Sequence, residues 1–232
     1  MLHLTSPIGV ALLPWATNVD QQSIAFILDT LIILLISIDL HELGHALTAD
    51  WLGDDTPRRA GHLTLNPFPK LGQIGLLMLV LLSVTGRGFA FGFTPVNPSA
   101  LSRRNRFGPA IVALAGPLVN LVIAVAVAIP LVMSDTLGTV AGSPSLFDFL
   151  NLTLSYNLLL FVMNLIPLPP LDGWTIFSAF LSAKTRYELR GFVTYGPFIL
   201  LGLFILDPYI HVISNIVVPA TNDIADWLSN IL

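Results

Sequence analysis

The clearest chemical signal in the sequence is an H-E-x-x-H pattern that runs from His41 to His45. On a helix, residues four positions apart lie on one face, so both imidazoles can bind one metal ion. In this pattern the glutamate, here Glu42, takes a proton from water held at the metal, and the water attacks a peptide carbonyl. The alternative is an ordinary helix that carries two histidines without a ligand. The apolar surroundings favour a metal, because a buried glutamate between two histidines is costly without a partner.

The composition is typical of a protein embedded in a membrane. Hydrophobic residues make up 54% of the 232 residues and charged residues only 10%, whereas about 25% charged residues is usual for a soluble domain. The absence of cysteine excludes thiolate zinc sites, disulfides and cysteine nucleophiles. A net charge of −4 does not suggest a nucleic-acid partner.

Long apolar stretches predict an all-α polytopic membrane protein with about five or six membrane helices. The main predicted membrane segments are 23–50, 107–133, 150–165, 192–206 and 209–232. Residues 71–86 are apolar but too short to cross, so we expect a short re-entrant hairpin there. Small membrane-associated β-strands near the H-E-x-x-H pattern are predicted over 62–66, which alternate in polarity, and around 89–98.

We expect a single domain over residues 1–232, because no linker, repeat or low-complexity tract divides the chain. Within it we distinguish an interfacial amino-terminal segment (1–22), a catalytic core (23–183) and carboxy-terminal membrane segments (184–232). Two acidic residues, Asp29 and Asp39, lie in the first membrane segment, where they belong either to an ion path or to helix packing.

The basic residues predict the orientation in the membrane. All ten Lys and Arg fall into three regions, 58–70, 87–106 and 184–190. Because basic loops prefer the cytoplasmic side, the amino terminus is expected outside, with His45 and Asp172 toward the cytoplasm.

Two histidines do not complete a catalytic zinc site, which usually has three protein ligands and one open position. The other histidines are His3, His62 and His211. Asp172 is the favoured third ligand, because it ends a proline-broken segment on the same predicted side as His45, and Gly173 beside it permits unusual backbone turns. A turn-forming Asp-Gly pair is the simpler explanation when these two residues are considered alone.

Three motifs in order resemble the site-2 protease family of intramembrane zinc metalloproteases. They are His-Glu-Leu-Gly-His at 41–45, Gly-Pro-Leu-Val-Asn at 116–120 and Asn-Leu-Ile-Pro-Leu-Pro-Pro-Leu-Asp-Gly at 164–173. The resemblance extends from about Ser23 to Ala183. It indicates a minimal form of the family without a soluble PDZ or CBS module.

The resemblance implies a role for each matched residue. The implied ligands of one Zn²⁺ ion per chain are His41, His45 and Asp172. Glu42 would activate the water. Asn164 matches the position that binds the substrate carbonyl or its oxyanion, and Asn120 matches a motif asparagine that we place in the same substrate-binding group. The alternatives are a helix-end amide bonded to its own backbone for Asn164 and helix packing for Asn120.

The implied function is hydrolysis of peptide bonds within or near the transmembrane segments of membrane proteins, as in regulated intramembrane proteolysis. The expected partners are single-span membrane protein substrates and the lipid bilayer, in the cell membrane of a prokaryote, with the oligomeric state left open. One alternative is a membrane metal-ion transporter, which commonly shows internal repeats that this sequence lacks. Another is a catalytically inactive protease-like scaffold, which would be expected to lack a ligand or the base.

Overall fold

The computed structural model describes residues 21–84, 92–137 and 144–232, which form helices joined by short loops. The helices are α1 (Gln21–Trp51), α2 (Thr56–Arg59), α3 (Phe68–Val84), α4 (Pro98–Arg104), α5 (Gly108–Leu137), α6 (Pro144–Asn164), α7 (Asp172–Ser178), α8 (Ala183–Glu188), α9 (Arg190–Ile210) and α10 (Val218–Ile231). A π-helical turn, Ile213–Val217, precedes α10. The predicted all-α class is confirmed for these residues. The predicted interfacial segment over 1–22 lies outside them except for its last two residues, which begin α1.

Four helices in the described part of the chain are long and apolar enough to cross a membrane. They are Ile24–Trp51, Gly108–Met133, Leu146–Asn164 and Arg190–Asp207. The first four predicted membrane segments therefore correspond to helices, and the described residues contain four membrane-spanning candidates where five or six were predicted. The segment over 209–232 fails because it contains the π-helical turn and then α10, which has only 14 residues. At about 1.5 Å per residue, α10 extends about 21 Å, less than the roughly 30 Å of a hydrocarbon core.

The predicted re-entrant hairpin over 71–86 is not supported. Most of these residues belong to α3, which is interrupted at Gly72 (φ 58°, ψ −177°) and then continues as a helix to Val84. Leucine and methionine dominate this continuation, and both favour helix. Residues 85 and 86 lie outside the described residues.

The predicted strand over 62–66 is wrong, because these residues form a series of bends between α2 and α3. The Thr64 hydroxyl oxygen accepts a hydrogen bond from Asn66 N at 3.1 Å, and Asn66 Oδ1 accepts one from Phe68 N at 3.1 Å. Such local side-chain bonds to the backbone compete with a strand ladder. The alternating polarity was therefore a misleading signal here.

The second predicted strand region is also not supported. Residues 92–97 have no regular secondary structure, and α4 begins at Pro98. Residues 89–91, which were expected to belong to the same strand, lie outside the described residues.

Helix α5 is central to the fold and packs against α1, α6 and α7. It approaches α1 closely at Gly44, inside the H-E-x-x-H pattern. A Cβ atom at Gly44 would lie 2.8 Å from Val119 Cγ2 and 3.1 Å from the carbonyl oxygen of Ala115. Glycine is needed there because any side chain would push the two helices apart.

The main buried apolar cluster holds α6 and the start of α7 against α1. Its members on these helices and their borders include Ile33, Leu34, Ile38, Leu152, Leu159, Leu160, Met163 and Leu171. Leu171 is only 3% exposed and directly precedes Asp172. Its burial fixes the position at which α7 begins relative to α1.

Candidate metal centre

His41 and His45 lie one turn apart on α1, and Asp172 is the first residue of α7. The two Nε2 atoms are 3.0 Å apart. Asp172 Oδ2 lies 3.1 Å from His41 Nε2 and 3.2 Å from His45 Nε2. Three potential ligand atoms from two helices therefore form a nearly equilateral triangle.

The outer nitrogen of each imidazole determines what its inner nitrogen can do. His45 Nδ1 lies 2.7 Å from the carbonyl oxygen of Val112, which can only accept a hydrogen bond. His41 Nδ1 lies 2.6 Å from Asn120 Oδ1, which is also an acceptor. Each Nδ1 must therefore carry hydrogen, which leaves a lone pair on each Nε2 of the neutral rings.

The triangle thus brings two imidazole lone pairs and a carboxylate oxygen into contact. Such a group is unfavourable unless a cation lies among the three atoms. Asp172 Oδ2 is buried and has no hydrogen-bond partner among the described residues. A protonated imidazole could satisfy one contact, but a single hydrogen cannot serve three acceptors.

The donor set and its dimensions fit zinc. A tetrahedral zinc ion with bonds of about 2.0–2.1 Å separates neighbouring ligand atoms by about 3.3 Å. The observed separations of 3.0–3.2 Å are close to this value. Two imidazoles and a carboxylate leave one position open, as catalytic zinc sites do.

Asp172 is ionised near neutral pH. Burial alone would raise the pKa of this carboxyl, but the imidazoles of His45 and His41, when they carry a proton in place of a metal ion, outweigh burial and lower the pKa to about 2. The site therefore contains an anionic oxygen ligand, which suits a divalent cation better than a neutral carboxylic acid would.

Close backbone packing positions Asp172. A Cβ atom at Gly173 would lie 2.4 Å from the carbonyl oxygens of both Leu165 and Ile166, in the loop that follows α6. Only glycine permits this approach. The sequence had suggested that Gly173 provides an unusual turn, but the residue is helical, and its function is to let α7 contact the preceding loop.

Glu42 lies beside the triangle and is only 5% exposed. Its carboxylate oxygen and the two imidazole nitrogens lie within 4.8 Å of one another. Its Oε2 accepts a hydrogen bond from the Thr94 hydroxyl at 2.7 Å. A carboxylate in this position can take a proton from a water molecule in the same site.

Asn120 lies behind His41 and is fully buried. Its Oδ1 accepts from His41, and its Nδ2 donates to Asn157 Oδ1 at 3.0 Å. Asn157 in turn donates to Ser37 Oγ at 2.9 Å. Both ends of the Asn120 amide are therefore occupied within the protein, in an arrangement that can orient the His41 ring. Its role toward substrate stays a prediction.

Asn164 is the last residue of α6 and is half-buried. Its Nδ2 donates to the Leu160 carbonyl oxygen of its own helix at 3.0 Å. The amide nitrogen carries a second hydrogen, which is the donor that an oxyanion would need. Its role toward substrate stays a prediction.

Of the other candidate ligands, His62 and His211 lie in the described part of the chain and do not join the triangle. His62 is 7% exposed; burial and the nearby Lys70 lower the pKa of its imidazole, although Glu42 opposes this. His211 ends α9 with a left-handed backbone (φ 52°). His3 lies outside the described residues.

Asp39 does not present a free carboxylate. Its Oδ1 lies 2.6 Å from the Nζ of Lys70, and both side chains are buried. The Asp39 carboxylate is therefore already paired with Lys70, which favours the packing interpretation of Asp39 over an ion path.

Gly116 on α5 forms the wall of the metal centre. A Cβ atom there would lie 2.4 Å from His45 Nε2 and 2.6 Å from His41 Nε2. We expect Gly116→Ala to weaken zinc binding roughly 5- to 150-fold, because an extra methyl group in a packed site costs about 1–3 kcal/mol. Competition with a chromophoric chelator measures this affinity.

Gly202→Ala is the matched control for this substitution. Gly202 lies in α9, and no heavy atom outside its own helix lies within 4 Å of where its Cβ would be. Zinc affinity equal to that of wild type in Gly116→Ala would show that the metal does not occupy the space between the two imidazoles.

Comparison with known proteins supports the use of zinc. A sequence model of peptidase family M50 matches residues 130–204, which include Asn164 and Asp172 but not the H-E-x-x-H pattern. Two similar bacterial proteins carry the name of putative zinc metalloproteases. YwhC of Bacillus subtilis is 36% identical over 177 residues, covering 75% of this chain and 78% of the relative. Rip2 of Mycobacterium tuberculosis is 31% identical over 214 residues, covering 88% of this chain and 78% of the relative.

A second Rip2 protein, from Mycolicibacterium smegmatis, is 34% identical over 177 residues, covering 74% of this chain and 64% of the relative. No solved structure shows a significant match to the chain.

Proposed function

Since the chain belongs to peptidase family M50, the site-2 proteases, we propose that it is an intramembrane zinc endopeptidase. It would hydrolyse peptide bonds within or near the transmembrane segments of single-span membrane proteins. The observation that carries this proposal is the triangle of three potential metal-ligand atoms from two helices, 3.0–3.2 Å apart, beside a buried glutamate.

The residues that would hold one zinc ion are His41, His45 and Asp172. Zinc in such a site supplies Lewis-acid chemistry, since it polarises a carbonyl and lowers the pKa of water toward about 7. Asn120 and Val112 hold the outer nitrogens of the two imidazoles, so each ring presents its Nε2 in the correct tautomer.

Glu42 is proposed as the general base and acid. Its carboxylate takes a proton from the attacking water and later gives it to the leaving amine, so no net proton remains on the enzyme. Asn164 would donate its free N–H to the developing charge on the substrate oxygen. The carbonyl oxygen of Leu160, which accepts the other N–H of Asn164, would keep the side chain in place.

The depth of the site suits a membrane substrate. His45 lies six residues before the end of the apolar span Ile24–Trp51, which is about 9 Å along a helix. At that end Arg58 donates to both carboxylate oxygens of Asp50, at 2.8 and 2.6 Å. Basic residues here support an orientation with the active site toward the cytoplasmic face.

Two features support hydrolysis over metal transport. Asp39 is paired with Lys70 and offers no free ligand along the first helix. The base and every proposed ligand are present at one site, which also disfavours an inactive scaffold. Membership of peptidase family M50 also favours hydrolysis over metal transport.

The test uses the purified protein in liposomes together with a panel of single-span membrane peptides. We expect cleavage inside or next to an apolar segment, located by mass spectrometry, that stops when 1,10-phenanthroline removes the metal and returns when zinc is added. Absence of cleavage across the panel, or cleavage that survives complete metal removal, would refute the proposal.

A further inference from the structure

The carboxylate of Glu42 needs a support that α1 alone does not provide. The helix fixes the Glu42 backbone, but three side-chain torsions separate it from the carboxylate. A catalytic group must be held to within about 0.5 Å of its productive position. The contacts that hold this carboxylate come from a segment that lies 50 or more residues away in the sequence.

Thr94 provides the most direct of these contacts. Its hydroxyl lies 2.7 Å from Glu42 Oε2 and 3.1 Å from the Glu42 carbonyl oxygen. The shorter contact has the length of a hydrogen bond from a hydroxyl to a carboxylate, which is stronger than a neutral one. Thr94 is only 9% exposed, so water competes little for this bond.

The opposite side of the carboxylate rests on Gly92. A Cβ atom at Gly92 would lie 2.4 Å from Glu42 Oε1 and 2.7 Å from Glu42 Cδ. One oxygen therefore faces Gly92 while the other accepts from Thr94. Two residues of one short segment confine the carboxylate on both sides.

This segment is itself anchored at two points. Phe93 N donates to the Lys70 carbonyl oxygen at 2.9 Å, and Asn97 N donates to Asp54 Oδ2. Lys70 also forms the buried ion pair with Asp39, which lies three residues before Glu42 on α1. The contacts thus lead from Glu42 to Thr94 and Phe93, then to Lys70, and back to Asp39 on the same turn of α1.

We infer that Thr94 is a positioning residue, whose hydroxyl fixes the Glu42 carboxylate for proton transfer. This inference rests on the proposed function, because it assigns Thr94 a role in the same reaction. A hydroxyl group suits the role, since it donates to one carboxylate oxygen and leaves the group able to accept a proton at the other.

The test compares Thr94→Val, which keeps the shape of the side chain without the donor, with Thr94→Ser, which keeps the donor. In Thr94→Val we expect kcat to fall about 10- to 100-fold, the magnitude expected for a lost hydrogen bond to a charged group. KM and zinc content should stay at the wild-type values. Thr94→Ser should recover kcat to within a few-fold of wild type.

The matched control is Thr221→Val. Thr221 is also buried, but its hydroxyl donates to the Val217 carbonyl oxygen at 2.9 Å. This control should leave kcat unchanged. Wild-type kcat in Thr94→Val, an equal loss in Thr94→Ser, or a loss caused by KM or zinc content would overturn the inference.

A spectroscopic measurement tests the hydrogen bond independently of proteolysis. The infrared difference spectrum between wild type and Glu42→Gln isolates the Glu42 carboxylate bands. We expect Thr94→Val to shift these bands and Thr221→Val to leave them in place. Unshifted bands would refute the role of Thr94 even in an active protease, whereas shifted bands without any peptide cleavage would refute the proposed function and retain the hydrogen bond.

Discussion

Glu42→Gln is expected to lower kcat for peptide cleavage roughly 100- to 10,000-fold, the range that general acid–base catalysis contributes. Glutamine has nearly the same shape, so the side chain still fits between Gly92 and Thr94. A neutral amide cannot take a proton from water at neutral pH. Single-turnover cleavage of a single-span peptide in liposomes measures the effect.

The sequence offers a matched control for this change. Glu188 is the only other glutamate; its side chain is 60% exposed, on α8. Glu188→Gln makes the same chemical change away from the metal centre and should leave cleavage unchanged. Zinc content should stay at the wild-type value in both variants. Cleavage at the wild-type rate in Glu42→Gln would remove Glu42 from the mechanism.

Asp172→Asn is expected to weaken zinc binding by more than about 100-fold. Removing a residue that only hydrogen-bonds to a metal ligand already lowers metal affinity about 10- to 100-fold, and Asp172 is proposed as a ligand itself. The amide is a poorer ligand than the carboxylate and supplies no negative charge against the two imidazoles. Cleavage should fall with zinc occupancy and recover in part at high zinc concentration. Isothermal titration of the metal-free protein measures the affinity.

Asp223→Asn is the control for the lost charge. Asp223 lies on α10 and is exposed, so this variant changes the net charge equally without touching the site. If Asp172→Asn bound zinc as tightly as Asp223→Asn does, Asp172 would not be a ligand.

Periodicity and local chain breaks predicted much of the metal centre. The four-residue spacing of His41 and His45 places both rings on one face of α1, wherever that helix packs. The prolines before Asp172 end the preceding helix, which allows α7 to begin in a new direction. These signals favoured His41, His45 and Asp172, and the resemblance of three motifs to the site-2 protease family completed the choice before any distance was known.

The supports of the site could not be predicted in this way, because they depend on contacts between distant parts of the chain. Ser37 and Asn157 are separated by 120 positions, and Glu42 and Thr94 by 52. A polar residue inside apolar α6 was the only available signal for Asn157. The sequence predicted that residues around 89–98 lie near the H-E-x-x-H pattern, but it did not identify Thr94 as a partner of Glu42.

The errors in the fold prediction have a related origin. Alternating polarity at 62–66 suggested a strand, but the side chains of Thr64 and Asn66 bond to the local backbone instead. Apolar composition at 209–232 suggested a membrane helix, although the π-helical turn leaves only the short helix α10. Composition alone does not report where a helix is interrupted.

X-ray absorption at the zinc edge tests the three-ligand centre most directly. On the purified protein with one equivalent of zinc, we expect two imidazole nitrogens and two oxygens, one from Asp172, at about 2.0–2.2 Å. The oxygen contribution should change in Asp172→Asn. A wild-type spectrum with fewer than two imidazoles, or one that is identical in Asp172→Asn, would contradict zinc binding by His41, His45 and Asp172.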